Sequence, residues 1–93
     1  MPAQEGSLVS NVGDMLERLT AGKLVSTTHR VVNPAGAAAK RSRYSMPFFL
    51  HFRPDFMIEP LESCVQEMGV ENAQPAISSH DFLMQRLREI NLA

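Results

Sequence analysis

The sequence has little of what marks several common classes of protein. It holds one cysteine among 93 residues, which excludes an intramolecular disulfide framework. No stretch approaches the roughly 18 uncharged apolar residues of a membrane-spanning helix, and the first residues carry no basic or strongly apolar region of a signal peptide. The formal net charge of -1 excludes a strongly basic nucleic-acid binder. We therefore expect one cytoplasmic domain over residues 1–93 that contacts neither membrane nor nucleic acid.

Three segments have the composition of β-strands. Residues 7–12, 24–32 and 43–52 are rich in β-branched, aromatic or other apolar residues, and each ends near a glycine or a proline. Pro47 lies inside the third segment, which favours a sheet edge or a bulge. The small and basic residues 35–42 predict an exposed loop between the second and third strands. Because three strands are too few to protect their own edges, we expect that part of a larger sheet is missing.

Helices are predicted between and after these strands. Asp14 is a plausible N-cap for a short helix over residues 15–19, and Gly22 a plausible stop. A further turn of helix is predicted within residues 59–67, where Cys64 has the spacing of a small buried residue.

The clearest helix signal lies near the end of the sequence. Ser78 followed three residues later by Asp81 resembles a capping box, and it predicts a helix over residues 79–91. Apolar residues then recur at helical spacing, at Phe82, Leu83, Leu87 and Ile90.

Strand alternation brings two chemically useful side chains to one face. Arg43 and Ser45 are two residues apart, and a guanidinium beside a hydroxyl can clamp a carboxylate. His29 lies on the other long strand, where a neutral imidazole nitrogen can bind a metal ion. The ordinary alternatives are a packed, hydrogen-bonded histidine and an arginine in a structural ion pair. The residues alone leave both interpretations open.

An ordered set of motifs resembles one known family. Asn11-Val12-Gly13-Asp14, His29-Arg30-Val31, Arg43-Tyr44-Ser45 and Pro47-Phe48-Phe49 occur in that order. This set is similar to the C-terminal part of the isopenicillin-N-synthase-like iron(II)/2-oxoglutarate oxygenases, and the final helix resembles the closing helix of bacterial members. The resemblance covers essentially the whole chain, including residues 2–6.

The resemblance implies a fold and a chemistry. The implied fold is mainly β with flanking helices: the C-terminal portion of a double-stranded β-helix, or jelly roll, with a closing C-terminal helix. The implied activity is a dioxygenase that couples decarboxylation of 2-oxoglutarate to oxidation of a small organic substrate. His29 would be the last ligand of Fe(II), and Arg43 with Ser45 would hold the far carboxylate of 2-oxoglutarate. The residues implied to line the pocket are Asn11, Val31 and Phe49.

One part of the family pattern is missing from this sequence. The other two iron ligands come from a His-x-Asp motif, but no histidine stands two residues before Asp14, Asp55 or Asp81, the only aspartates. One histidine does not hold Fe(II) usefully. We therefore expect a C-terminal fragment without the N-terminal half of the domain, inactive by itself, whose missing ligands lie upstream.

Two alternatives remain open at this point. The chain could be a non-catalytic half-barrel remnant or interaction protein that self-associates through its open sheet edges. Some relatives also need no 2-oxoglutarate and use the Arg-x-Ser pair to hold the substrate's own carboxylate.

Overall fold

The computed structural model describes residues 5–92 and contains three short helices and one small sheet. Residues 2–4 of the family resemblance lie outside this described part. The helices are α1 (Asp14–Leu19), α2 (Glu62–Met68) and α3 (Ser79–Glu89). Strands β1 (Met57–Ile58) and β2 (Ile77–Ser78) pair in antiparallel register, with Ile58 opposite Ile77. Within residues 5–92, no helix has the length and apolar character needed to cross a bilayer.

The helices and the sheet pack around one small core. We call this part, residues 13–23 and 52–92, the helical unit. Ile58 and Phe82 are its large buried side chains, at 0% and 3% exposure. Cys64 is also buried, as its spacing predicted. The amide of Leu61 donates to the carbonyl of Leu19 over 2.9 Å, which ties the start of α2 to the end of α1.

The rest of the chain extends away from the helical unit. We call residues 24–51 the arm; its only regular structure is a 3-10 turn at Gly36–Lys40, which confirms the predicted exposed loop. The chain measures 50 × 31 × 24 Å, and its radius of gyration is 16.8 Å. A compact domain of this length would have a radius of gyration of about 12 Å. The molecule is therefore elongated.

The strand predictions differ from the structure. None of the segments 7–12, 24–32 and 43–52 belongs to a β-ladder, so the chain by itself is not mainly β. The residues flanking the 3-10 turn, Ala35 and Arg41, do have extended backbone angles. A strand is completed only by hydrogen bonds to a neighbouring strand, and none of the described residues provides that neighbour for the arm.

Helix α1 begins one residue earlier than predicted. Gly13 is its N-cap and Asp14 its first helical residue, so the prediction that Asp14 caps the helix is wrong. An acidic side chain in the first turn still interacts favourably with the helix dipole.

The helix ends at Leu19, before the predicted stop at Gly22: Thr20 is its C-cap, and Ala21 takes the left-handed conformation after it with a φ of +51°. Gly22 follows with a φ of +84°, and its amide closes the last turn by donating to the carbonyl of Glu17 over 2.9 Å.

Helix α3 begins as predicted. The hydroxyl of Ser78 accepts a hydrogen bond from the amide of Asp81 over 3.1 Å, which satisfies one of the free amides of the first turn. The helix ends at Glu89, and Asn91 follows with a φ of +61°. The amide of Leu92 then donates to the carbonyl of Leu87 over 2.8 Å and closes the last turn.

Replacing Ser78 with alanine should destabilise the helical unit. The change removes the acceptor for the amide of Asp81, and the loss of such a cap costs about 1 kcal/mol. Urea denaturation followed by circular dichroism would measure the free energy of unfolding. The control is Ser63→Ala, an exposed serine inside α2, which should cause no loss because alanine favours helix. Equal stability of Ser78→Ala and the wild type would contradict the capping role.

Candidate functional site

His29 lies on the arm with its ring exposed to solvent. Its Nδ1 is 2.7 Å from the carbonyl oxygen of Thr27. Because a carbonyl can only accept, this contact assigns the ring proton to Nδ1. In a neutral ring with this contact, the lone pair lies on Nε2, and a backbone carbonyl is a usual partner for the other nitrogen of a metal-binding histidine. The contact is therefore compatible with a metal ligand role for His29.

Arg43 and Ser45 follow the 3-10 turn of the arm, and both are exposed. Within the described chain neither side chain takes part in a hydrogen bond or an ion pair. An arginine with five unused donors beside a serine hydroxyl can receive both oxygens of a carboxylate. The structural ion pair considered as the alternative for Arg43 is not formed among residues 5–92.

The rings of Phe49 and His51 contact each other at the end of the arm. The rings of Phe49 and His51 lie parallel, at 14°, with their centroids 6.5 Å apart. Two residues of an extended strand span about 6.6 Å, so the separation is that of neighbours on one side of an extended chain. Pro47 lies between this pair and Arg43 and Ser45, whose shared face stays a prediction.

The predicted site residues are not assembled into one pocket. Asn11, Val31 and Phe49 are exposed, the latter two at 80% and 76%. Over residues 5–92, no hydrogen bond, ion pair or ring contact joins His29 to Arg43, Ser45 or these three. Their roles therefore stay predictions.

The described residues do not supply a complete set of metal ligands. In the described segment, no three residues of the types His, Cys, Asp and Glu come together. Fe(II) in this class of enzyme needs two histidines and one carboxylate. His29 fits one of these positions, but the residues present do not make a site for the ion, so no iron-dependent step can be assigned to this chain alone.

Three side chains of the helical unit hold the two ends of the arm. The carboxylate of Glu17 accepts from the amide of Ser26 over 2.5 Å, and the hydroxyl of Thr20 accepts from the amide of Leu24 over 3.1 Å. Just past the other end, the buried Ser79 hydroxyl donates over 3.1 Å to the carbonyl of Phe52, the residue that directly follows the arm. Sequence reasoning missed these anchors. For Glu17 and Thr20, the only local signal was their position near the end of a predicted helix that is followed by a glycine.

A separate polar cavity of about 440 Å³ lies in the helical unit between α1 and α3. The guanidinium groups of Arg18 and Arg86 flank the ring of Phe82, at 5.2 and 5.1 Å from its centre. Arg86 pairs with Asp14 over 3.1 Å, and Arg18 donates to the carbonyl of Pro75 over 2.7 Å. Burial, and then the charge of Arg86, lower the pKa of Arg18. None of the predicted site residues is among those that line this cavity, and its charged groups hold the helices together.

The sequence and the structure are similar to those of known oxygenases. The family model of the 2OG-Fe(II) oxygenase superfamily matches residues 1–52, a range that contains every predicted site residue. A 2-oxoglutarate-Fe(II) type oxidoreductase, ppzC, of Metarhizium majus is 41% identical, and the match covers 89% of this chain and 21% of that protein. Kihadalactone A synthase LFS of Citrus sinensis is 36% identical, with 97% of this chain and 25% of that protein covered.

A solved structure extends the likeness to three dimensions. The crystal structure of a 2OG-Fe(II) oxygenase family protein from Caulobacter crescentus is 52% identical to this chain, with a TM-score of 0.73. The match covers 86% of this chain and 26% of that protein. This chain thus spans about a fifth to a quarter of the length of these relatives. On the match of its first 52 residues, the chain belongs to the 2OG-Fe(II) oxygenase superfamily.

Proposed function

We propose that this chain is the C-terminal part of an iron(II)/2-oxoglutarate-dependent dioxygenase. His29 supplies the last iron ligand, and Arg43 with Ser45 binds the far carboxylate of 2-oxoglutarate. The single observation that carries the proposal is that these three side chains, all exposed and with their ligand-binding atoms unused, fall within the 52 residues that match the superfamily. With O2 as the oxidant, the completed enzyme would convert 2-oxoglutarate to succinate and CO2 and would oxidise an organic substrate.

The chemistry of the arm fits the binding of an organic acid. The guanidinium of Arg43 is planar and presents two parallel donors to the two oxygens of a carboxylate. The hydroxyl of Ser45 adds a third donor on the same predicted face. In the neutral ring, the contact of Nδ1 with the carbonyl of Thr27 leaves Nε2 available to a metal ion. The residues of the remaining oxygenase domain complete the metal site and enclose it.

The test uses a chimera in which these 93 residues replace the matched region of the Caulobacter crescentus relative. We expect Arg43→Ala in this chimera to raise the 2-oxoglutarate concentration for half-maximal succinate release at least about tenfold. The physical reason is the loss of charge-assisted hydrogen bonds, worth about 1.5–3 kcal/mol. Succinate release with Fe(II) and ascorbate is the measurement.

The control is Arg41→Ala, an exposed arginine next to the 3-10 turn, which should leave the 2-oxoglutarate requirement unchanged. The 93-residue chain without the rest of the chimera should release no succinate. If Arg43→Ala and Arg41→Ala behaved alike, Arg43 would not bind the cosubstrate. If the chimera oxidised its substrate without releasing succinate, the result would favour the alternative in which Arg43 and Ser45 hold the substrate's own carboxylate.

A second candidate function is a non-catalytic half barrel. It is favoured by one observation: residues 42–51 make no hydrogen bond within the described chain, so their backbone is free to pair with a second copy. A chimera that folds but binds neither metal nor 2-oxoglutarate, together with a dimeric 93-residue chain, would support this function over the enzyme.

A further inference from the structure

The carboxylate of Glu17 holds a backbone amide close to His29. Its Oε2 atom accepts from the amide of Ser26 over 2.5 Å, and both residues are half-buried. A hydrogen bond to an ionised acceptor is about twice as strong as one between neutral groups, and it is electrostatically stronger away from water. The Ser26 amide is therefore a fixed point near the start of the arm.

Ser26 is the last residue before His29 that the helical unit holds. The preceding contact lies at the amide of Leu24, which donates to the hydroxyl oxygen of Thr20 over 3.1 Å. Between Thr27 and the 3-10 turn, the contact of His29 with the Thr27 carbonyl is the only hydrogen bond that the described residues form. The placement of this segment on the helical unit therefore depends on the contact at Ser26.

The carbonyl that orients the imidazole comes one residue after this fixed point. Nδ1 of His29 lies 2.7 Å from the carbonyl oxygen of Thr27, which can only accept. Because peptide bonds are planar, only the φ and ψ angles of Ser26 and Thr27 lie between the held amide and that carbonyl. The β-branched side chain of Thr27 also favours extended backbone. A displacement of Ser26 would therefore move the Thr27 carbonyl as well.

We propose that Glu17 is a positioning residue for His29. It fixes the Ser26 amide and, through it, the Thr27 carbonyl that contacts Nδ1, so that Nε2 stays available. The inference rests on the proposed function, in which Nε2 is the atom offered to the metal ion. Without the Glu17 contact the ring would sample other orientations, and a ligand would have to restrict them on binding.

The test measures the tautomer of the His29 ring in the 93-residue chain. Nitrogen NMR at alkaline pH, where imidazole rings are neutral, gives the ratio of rings protonated on Nδ1 to rings protonated on Nε2. Glu17→Ala should lower this ratio at least about threefold, because the hydrogen bond to Thr27 weakens. Hydrogen exchange at the Ser26 amide should quicken in the same variant. His80 is the internal reference, since its exposed ring forms no hydrogen bond within residues 5–92.

Three further variants separate the hydrogen bond from the charge. Glu17→Gln keeps the length and an acceptor oxygen without the charge, and it should retain the ratio of the wild type. Glu17→Asp keeps the charge but is one methylene shorter, and it should behave like Glu17→Ala. Glu67→Ala removes an exposed glutamate that binds the side chain of Lys23 over 2.6 Å, and it should change neither measurement. Far-ultraviolet circular dichroism checks that each variant keeps its helices.

The outcomes separate positioning from the ligand role of His29. Faster exchange at Ser26 with an unchanged ratio at His29 would overturn the proposal, because the contact would then not orient the ring. A lowered ratio in Glu17→Gln with the wild-type ratio in Glu17→Asp would also overturn it, since the charge would then be the cause. The NMR measurement needs no metal ion. Co(II) binding that survives His29→Ala in the chimera would therefore contradict the proposed function without changing the effect of Glu17 on the ring.

Discussion

Replacing His29 with alanine is expected to abolish iron-dependent succinate release by the chimera, with a loss of at least about a hundredfold. Changing a residue that only orients a metal ligand already costs 10–100-fold in affinity or activity, as an order of magnitude. Removing the ligand itself should cost more. In the structure, Nδ1 contacts the carbonyl of Thr27, which leaves Nε2 as the ring nitrogen available to a metal ion. Alanine removes the ring and this nitrogen with it.

The control for this change is His80→Ala. His80 is exposed in the first turn of α3, on the helical unit rather than the arm, and its side chain should not affect turnover. Binding of Co(II), followed by its visible absorption, gives a readout that does not depend on turnover. If His29→Ala bound Co(II) as tightly as the chimera with His29 intact, the metal ligand would have to be sought elsewhere.

Replacing Phe82 with alanine should unfold the helical unit. The ring is 3% exposed and contacts two guanidinium groups, so truncation removes a core side chain and two cation–π contacts. A Phe→Ala change in a core costs about 3–5 kcal/mol. Marginally stable small domains have little more than this in total. Far-ultraviolet circular dichroism of the 93-residue chain should show the loss of most helix.

The matched control is Phe48→Ala, which truncates the same side chain on the arm. Phe48 is 88% exposed, so the midpoint of urea unfolding should not change in the isolated chain. If Phe82→Ala had the same midpoint of urea unfolding as the wild type, burial of Phe82 would not stabilise the helical unit.

The helices were predictable because their signals are local. The hydroxyl of Ser78 and the amide of Asp81 are three residues apart, so the cap and the start of α3 could be read from neighbouring residues. Asp14 was misassigned by one position, since an acidic residue is favourable both as an N-cap and in the first turn. Such boundary errors come from signals that two adjacent positions satisfy equally well.

The strands were predicted from their β-branched and apolar composition and the glycine or proline residues that bound them, which describe a chain that can pair but not the presence of its partner. Residues 43–52 carry the alternating pattern, yet they form no ladder within the described chain. The contact of Ser79 with Phe52 spans 27 positions and could not be inferred from any local motif. The site residues were predicted from the order of four motifs, because His29, Arg43 and Ser45 are each ordinary alone, and their roles stay predictions.

Pro47 has a consequence for the behaviour of the arm at high concentration. It stands between Met46 and Phe48 in the most apolar stretch of the arm, and it has no amide hydrogen to donate. A single strand that pairs with a neighbour would lose one hydrogen bond there, but a stack of identical chains would lose one in every layer. The residue that interrupts the strand therefore acts as a gatekeeper against amyloid-like growth, in a segment that would otherwise favour it.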